Sequence, residues 1–227
     1  MAKKMSLAQK INVLRATVMG ANDGIISVAA IVIGVAAATN NSYSILISGL
    51  SGSLAGTISM CMGEYVSVSS EKDSQRKAIA EEKERLKLDP DGEYEYVRQK
   101  YLDQDIDPDL ASQAARELMD KDSLATGVQE RYGFNPREFT SPYAAAISSF
   151  ISFPLGSVLP MVAVMLFPPA QRIFATMVAV TIALVITGYL AAVLGNNPQR
   201  LKSVIRNTIS GLLTMGVTFL IGMLLKR

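Results

Sequence analysis

The sequence predicts an all-α membrane protein, with five spanning helices and a charged helical insert between the second and third. Three observations carry this. First, 49% of the 227 residues are hydrophobic and mean hydropathy is +0.26. Second, the apolar residues gather into five windows of about 20, the length that crosses roughly 30 Å of hydrocarbon. Third, 18 of the 20 acidic residues lie between Glu71 and Glu138, leaving only Asp23 and Glu64 outside. That stretch holds 12 basic residues against its 18 acids, a net −6, whereas the rest holds ten against two, a net +8.

Residues 1–68 read as a lead-in and two spans. Leu7, Ile11, Leu14 and Val18 recur at helical spacing among Lys3, Lys4, Lys10 and Arg15. That pattern fits either a short helix on the membrane surface or a solvated basic lead-in to the first span. No compact apolar core with a small-residue cleavage site follows, so the opening is not expected to be a secretory signal. Spans are expected over Val18 to Ala38 and Tyr43 to Val68, then over Tyr143 to Phe167, Ile173 to Leu194 and Thr208 to Leu225. Cytoplasmic flanks collect Lys and Arg. The N-terminus carries four, and the connection TNNSYS after span one carries none. The N-terminus and the acidic insert are therefore expected in the cytoplasm. The C-terminus, with Lys226 and Arg227, is expected on the opposite side.

Residues 69–141 form the insert. The stretch SSEKDSQRKAIAEEKERLKL contains strong helix formers and neither Gly nor Pro, so span two should extend into water as one helix. The turn DPDG ends it, and a second helix is expected through EYEYVRQKYLDQ. Asp107 with Pro108 reads as the N-cap and first position of a third, through about Asp122. GFNP closes the module, and residues 142–227 supply spans three to five.

Composition narrows the chemistry. There is no histidine, which removes His-based zinc sites, Ser-His-Asp and Cys-His catalysis and imidazole pH sensing. Cys61 is the single cysteine, so no intramolecular disulfide forms. With no nucleophile motif either, an enzyme is not expected. The large polar surface is net negative, which argues against nucleic acid.

Asp23 and Glu64 are the informative residues. An ionisable group within a span is costly and generally faces a polar path or a partner. Two such acids, without an embedded Lys or Arg to neutralise them, suggest a site for cations or protons. Ser48, Gly52, Gly56, Met60 and Glu64 recur every four residues on span two, so one stripe passes from small residues to candidate metal ligands. Pro154 and Pro160 around Gly156 should kink span three and free a carbonyl. In the insert, Glu81, Glu82, Glu84, Glu93, Glu95, Asp120 and Asp122 could hold a divalent cation. Interleaved Lys83, Arg85 and Lys87 allow simple ion pairing instead.

GANDGIISVAAIVIG around Asp23, SGSLAGTISMCMGEYVSVSSEKD with Met60 and Glu64, the carboxylate-rich insert and the Pro/Gly-rich third span together resemble the vacuolar iron transporter family. The resemblance covers nearly the whole chain in order. It implies a five-span homodimer that exports ferrous iron, and often manganese, from the cytosol in exchange for protons. Asp23, Met60 and Glu64 would line the path. Glu82, Glu93, Met119 and Asp122 correspond to the metal ligands of the insert. The family's glutamate pairs three apart are only partly kept, since Arg85 follows Glu82 and Tyr96 follows Glu93, with Glu81 and Glu84 as substitutes. An altered soluble site is expected.

The expected activity is thus proton-coupled export of ferrous iron or manganese, with the metal as substrate and no tightly bound cofactor. Burial disfavours a charged carboxyl and a nearby divalent cation favours it, so metal and proton displace one another. A thioether favours iron or manganese over magnesium and calcium. The alternative is a membrane-anchored metal sensor or protein-interaction scaffold without transport. Membrane lipid and a second copy of the chain are the expected partners. The expected location is a bacterial cell membrane, or a vacuolar membrane if the source is eukaryotic.

Overall fold

The computed structural model describes residues 7–226. Lys3, Lys4 and Arg227 lie outside them. Among the described residues there are seven helices and no strand: α1 (Leu7–Ala38), α2 (Ser42–Leu88), α3 (Pro90–Leu102), α4 (Pro108–Tyr132), α5 (Pro142–Leu166), α6 (Arg172–Leu194) and α7 (Arg200–Leu224). Five of them, α1, α2, α5, α6 and α7, are long and apolar enough to cross a membrane. In hydrocarbon only helices and closed barrels satisfy every backbone N–H and C=O, so a sequence of this hydropathy has little alternative to a helical bundle.

The chain divides into two compact units. One comprises residues 9–67 and 141–226 and the other chiefly residues 68–140, with α2 contributing to both. In the first unit α1 is the central element. Ile25, Ala29 and Ile33 pack with Val180 and Leu184 of α6 and Met215 of α7. Val28, Val32 and Ala36 pack with Ile45 of α2 and with Phe153 and Val164 of α5. Small residues let α1 lie against α5: a Cβ on Gly24 would collide with the Phe153 carbonyl oxygen, and one on Gly156 with that of Ala21. Ser149 Oγ also donates to the Ala16 carbonyl at 3.3 Å. Helix α5 keeps its helical course through Pro154 and Pro160.

The basic stretch from Leu7 to Val18 is not a separate surface helix, because α1 runs unbroken from Leu7 to Ala38. Its apolar spacing continues in phase into the span, so nothing in the sequence stops the helix. Asn41 accepts from the backbone N–H groups of Tyr43 and Ser44, at 2.9 and 3.1 Å, and starts α2. Ser141 starts α5, accepting from Ala144 N–H at 3.3 Å, with Pro142 next.

In the second unit, Asp89 caps α3 and Asp107 caps α4, each followed by a proline whose missing N–H would have been an orphan donor anyway. The first helical run of α4 ends at Asp122, as the sequence predicts, and a second run continues across a kink to Tyr132. Asp122 leaves helical geometry (φ −165°, ψ 85°), and its Oδ1 accepts from Ala125 N–H at 3.0 Å. It therefore closes the first helical run and caps the second. Gly133, at φ 74°, makes the left-handed C-cap. Val97, Ala111, Ala115 and Val128 form the buried apolar seam of this unit.

Candidate functional site

The first unit contains a cavity of about 510 Å³ walled by α1 and α2, with Phe153 of α5 behind it. Asp23, Met60 and Glu64 all line it, so the structure brings the three candidates of the membrane region to one place. Gly52 and Gly56 line it too, with Ile31 seated over Gly52 and the Phe153 ring over Gly56. Ser48, the first member of the expected stripe, is not in the lining; its hydroxyl donates to the Ser44 carbonyl at 2.8 Å. Cys61 and Met62, which fall off the stripe, are outside the lining as well.

The opposite wall is a second stripe of the same period. Met19, Asp23, Ser27 and Ile31 recur every four residues along α1 and line the cavity together. The two helices run antiparallel, so their stripes face each other over the cavity's length. Ser27 Oγ donates to Asp23 Oδ1 at 2.6 Å, which orients that carboxylate and satisfies one of its lone pairs. Extending the α1 stripe back by four residues reaches Arg15.

Arg15 corrects the expectation that no basic side chain neutralises these acids. Its Nη2 donates to Glu64 Oε2 at 2.9 Å, and its Nη1 lies 3.4 Å from the Met19 sulfur. Glu64 is 6% exposed, so its charge is compensated by this ion pair and not by water. Arg15, Met19 and Ser27 were missed by sequence reasoning. The signal that finds them is the four-residue recurrence through Asp23, the counterpart of the recurrence already evident on α2.

The acids of the insert are distributed differently. Glu82 from α2 and Glu93 from α3 do meet, but Arg131 from α4 stands between them. Its Nε donates to Glu82 Oε2 at 3.1 Å and its Nη2 to Glu93 Oε2 at 2.5 Å. The guanidinium lies 3.7 Å from the centre of the Tyr96 ring, which stacks it in place. Glu82 is fully buried, and Gly127 opposite leaves the space its carboxylate fills. Burial first, then the neighbouring Glu93, pushes the Glu82 carboxyl above its ordinary range, and Arg131 acts against both.

Of the remaining expected ligands, the three carboxylates are each paired elsewhere. Glu81 faces Lys77 at 3.9 Å and accepts from the Tyr132 hydroxyl at 3.4 Å. Glu84 pairs with Lys87 at 2.6 Å, while Asp122 caps its helix and pairs with Arg137. Met119 is half-buried on α4. Among the described residues, no three acidic or cysteine side chains converge as a metal-ligand set. The three insert helices expected to share a cation do share one, and it is the chain's own guanidinium.

The chain is similar to known proteins over most of its length. Residues 14–223 match the sequence model of the VIT family. The chain is 34% identical over 212 residues to a protein named vacuolar iron transporter from Acanthamoeba castellanii, covering 93% of this chain and 78% of that one. It is 32% identical over 207 residues to vacuolar iron transporter homolog 4 of Arabidopsis thaliana, covering 91% and 80%. A rice protein, vacuolar iron transporter homolog 1 of Oryza sativa subsp. japonica, is 33% identical over 207 residues, covering 91% and 71%.

Proposed function

From the premise that this chain belongs to the vacuolar iron transporter (VIT) family and is therefore a transporter and no enzyme, we propose that it exports ferrous iron or manganese from the cytosol in exchange for protons. The observation that carries the reading is the single cavity lined by Asp23, Met60 and Glu64, two hard oxygen donors and one soft sulfur donor between two membrane helices. Carboxylates suit hard and borderline divalent ions, and the thioether tilts the set toward transition metals over magnesium and calcium.

Coupling follows from the donors themselves. A carboxylate holds either a proton or the metal, so arrival of one releases the other without separate machinery. Asp23, fixed by Ser27, is assigned as the exchanging ligand at mid-cavity, and Glu64 as the one at the rim that bears Arg15. The cytoplasm is assigned to the Arg15 side, because basic flanks stay there. A homodimer is part of the reading. The cavity has walls from α1 and α2 alone with Phe153 behind, and exposed Leu50, Leu54, Ile58, Met62 and Val66 offer α2 an apolar face for a second copy.

For the insert, the ion pairs favour a structural role over the capture site that family resemblance implies. Its net −6 still draws cations to its surface through a diffuse field.

Ferrous or manganese flux into proteoliposomes, with and without a pH gradient, tests the function. Asp23→Asn should lower metal flux at least about a hundredfold, the scale on which loss of one charged ligand or its immediate support acts. Full proton-coupled flux in Asp23→Asn would sink the assignment.

A further inference from the structure

We propose that Arg15 is a tethered counter-cation of the cavity, which neutralises Glu64 while no metal is bound, yields to an arriving divalent ion, and returns to help discharge it. The proposal rests on the transport reading and adds to it a residue that sets affinity and release.

The geometry supplies the argument. Glu64 is buried, and whenever it is ionised without metal it needs a positive partner, since an unpaired carboxylate is strongly disfavoured away from water. Arg15 fills that need from the rim, with 44% of its side chain exposed against 7% for Glu64. The acid is thus fixed and the base is hinged: a long stem in solvent lets the guanidinium swing out without vacating a packed site. Arginine stays protonated at every working pH, so only a competing cation removes it. A divalent ion carries twice the charge of the guanidinium in a smaller volume, whereas sodium or potassium offers no such advantage over it. The same guanidinium lies 3.4 Å from the sulfur of Met19, which lines the cavity with Met60. Arg15 therefore acts through Glu64 as a positioning residue, raising the metal concentration needed for entry and shortening the stay.

Initial rates of manganese uptake into proteoliposomes at one fixed pH read this directly. Arg15→Gln should lower KM about tenfold, the factor expected when one charge-assisted hydrogen bond no longer competes for the carboxylate. It should also lower kcat, because release loses its competitor. Arg15→Lys, which keeps the charge, should restore KM toward that of the native protein. In a Glu64→Gln background, Arg15→Gln should leave KM where Glu64→Gln alone puts it. Phenylglyoxal labelling of the unmutated protein, mapped to the peptide containing Arg15, gives a second measurement that depends on no variant: manganese should increase modification and magnesium should not. An unchanged or raised KM in Arg15→Gln, a KM shift that persists without Glu64, or labelling that manganese leaves constant overturns the role of Arg15. Absence of metal flux in the native protein overturns the transport reading beneath it.

Discussion

At the residue scale, each buried acid is matched by an arginine far away in sequence. Glu64 and Arg15 are 49 positions apart, as are Glu82 and Arg131. Spacing rules reach only i,i+3 and i,i+4 neighbours, which is why Glu84 with Lys87 was foreseeable and these pairs were not. The acids themselves were legible, because carboxylates in apolar sequence stand out; their partners were not, because basic residues in flanks look like solvated surface. Arg131 makes a sharp prediction. Removing one member of a buried ion pair costs about 3–5 kcal/mol, since the other is left uncompensated. Arg131→Met leaves Glu82 and Glu93 facing each other, so amide exchange across α3 and α4 should accelerate by roughly two orders of magnitude or more, as that energy implies. In the native protein, stripping metal with EDTA should leave the same exchange unchanged, because the cation holding these helices is covalently part of the chain. Slower exchange of the native insert with added ferrous iron or manganese, reversed by EDTA, would contradict this.

At the scale of elements, the positions of the five long apolar helices follow from apolar windows; two of them start at a side-chain cap, Asn41 for α2 and Ser141 for α5, while Asp89 and Asp107 cap the insert helices α3 and α4. What composition does not reveal is which side of α1 faces which neighbour, because α1 is apolar or small on nearly every side. Three faces emerge only in the fold: Ile25, Ala29 and Ile33 toward α6 and α7, Val28, Val32 and Ala36 toward α2 and α5, and Met19, Asp23 and Ser27 toward the cavity. The contact with α5 sets the rotation of the helix and hence the direction of Asp23. Gly24 is critical there, since a methyl group would meet a backbone carbonyl that cannot rotate away. Gly24→Ala should therefore destabilise the protein in detergent by about 1–3 kcal/mol, the usual cost of overpacking. Gly63→Ala is the internal comparison: nothing lies within 4 Å of the added methyl, and a helical glycine replaced by alanine should hold or gain stability. Equal thermal shifts for the two variants would mean that the α1–α5 contact is looser than its geometry indicates.

At the scale of the whole molecule, five spans put the two termini of the chain on opposite sides of a membrane, and the distribution of basic residues is what the proposed orientation rests on. Lys10 and Arg15 precede the first span, Arg200, Lys202 and Arg206 open the last, and the connection Thr39–Asn41 carries no charge. Translocating a short uncharged connection is easy, whereas basic flanks resist it. The proposed direction of transport depends on this assignment, under which the Arg15–Glu64 end of the cavity would be the side from which metal enters. Cys61 is the single cysteine, so Cys61→Ser gives a clean background for reporter cysteines. Asn40→Cys, between α1 and α2, and Asp105→Cys, between α3 and α4, sit in exposed turns where labelling does not disturb packing. In intact cells an impermeant maleimide should label Asn40→Cys and spare Asp105→Cys until the membrane is opened. The reverse pattern would put the basic flanks outside, turn the cavity around, and convert the proposed exporter into a protein that brings metal toward the cytosol.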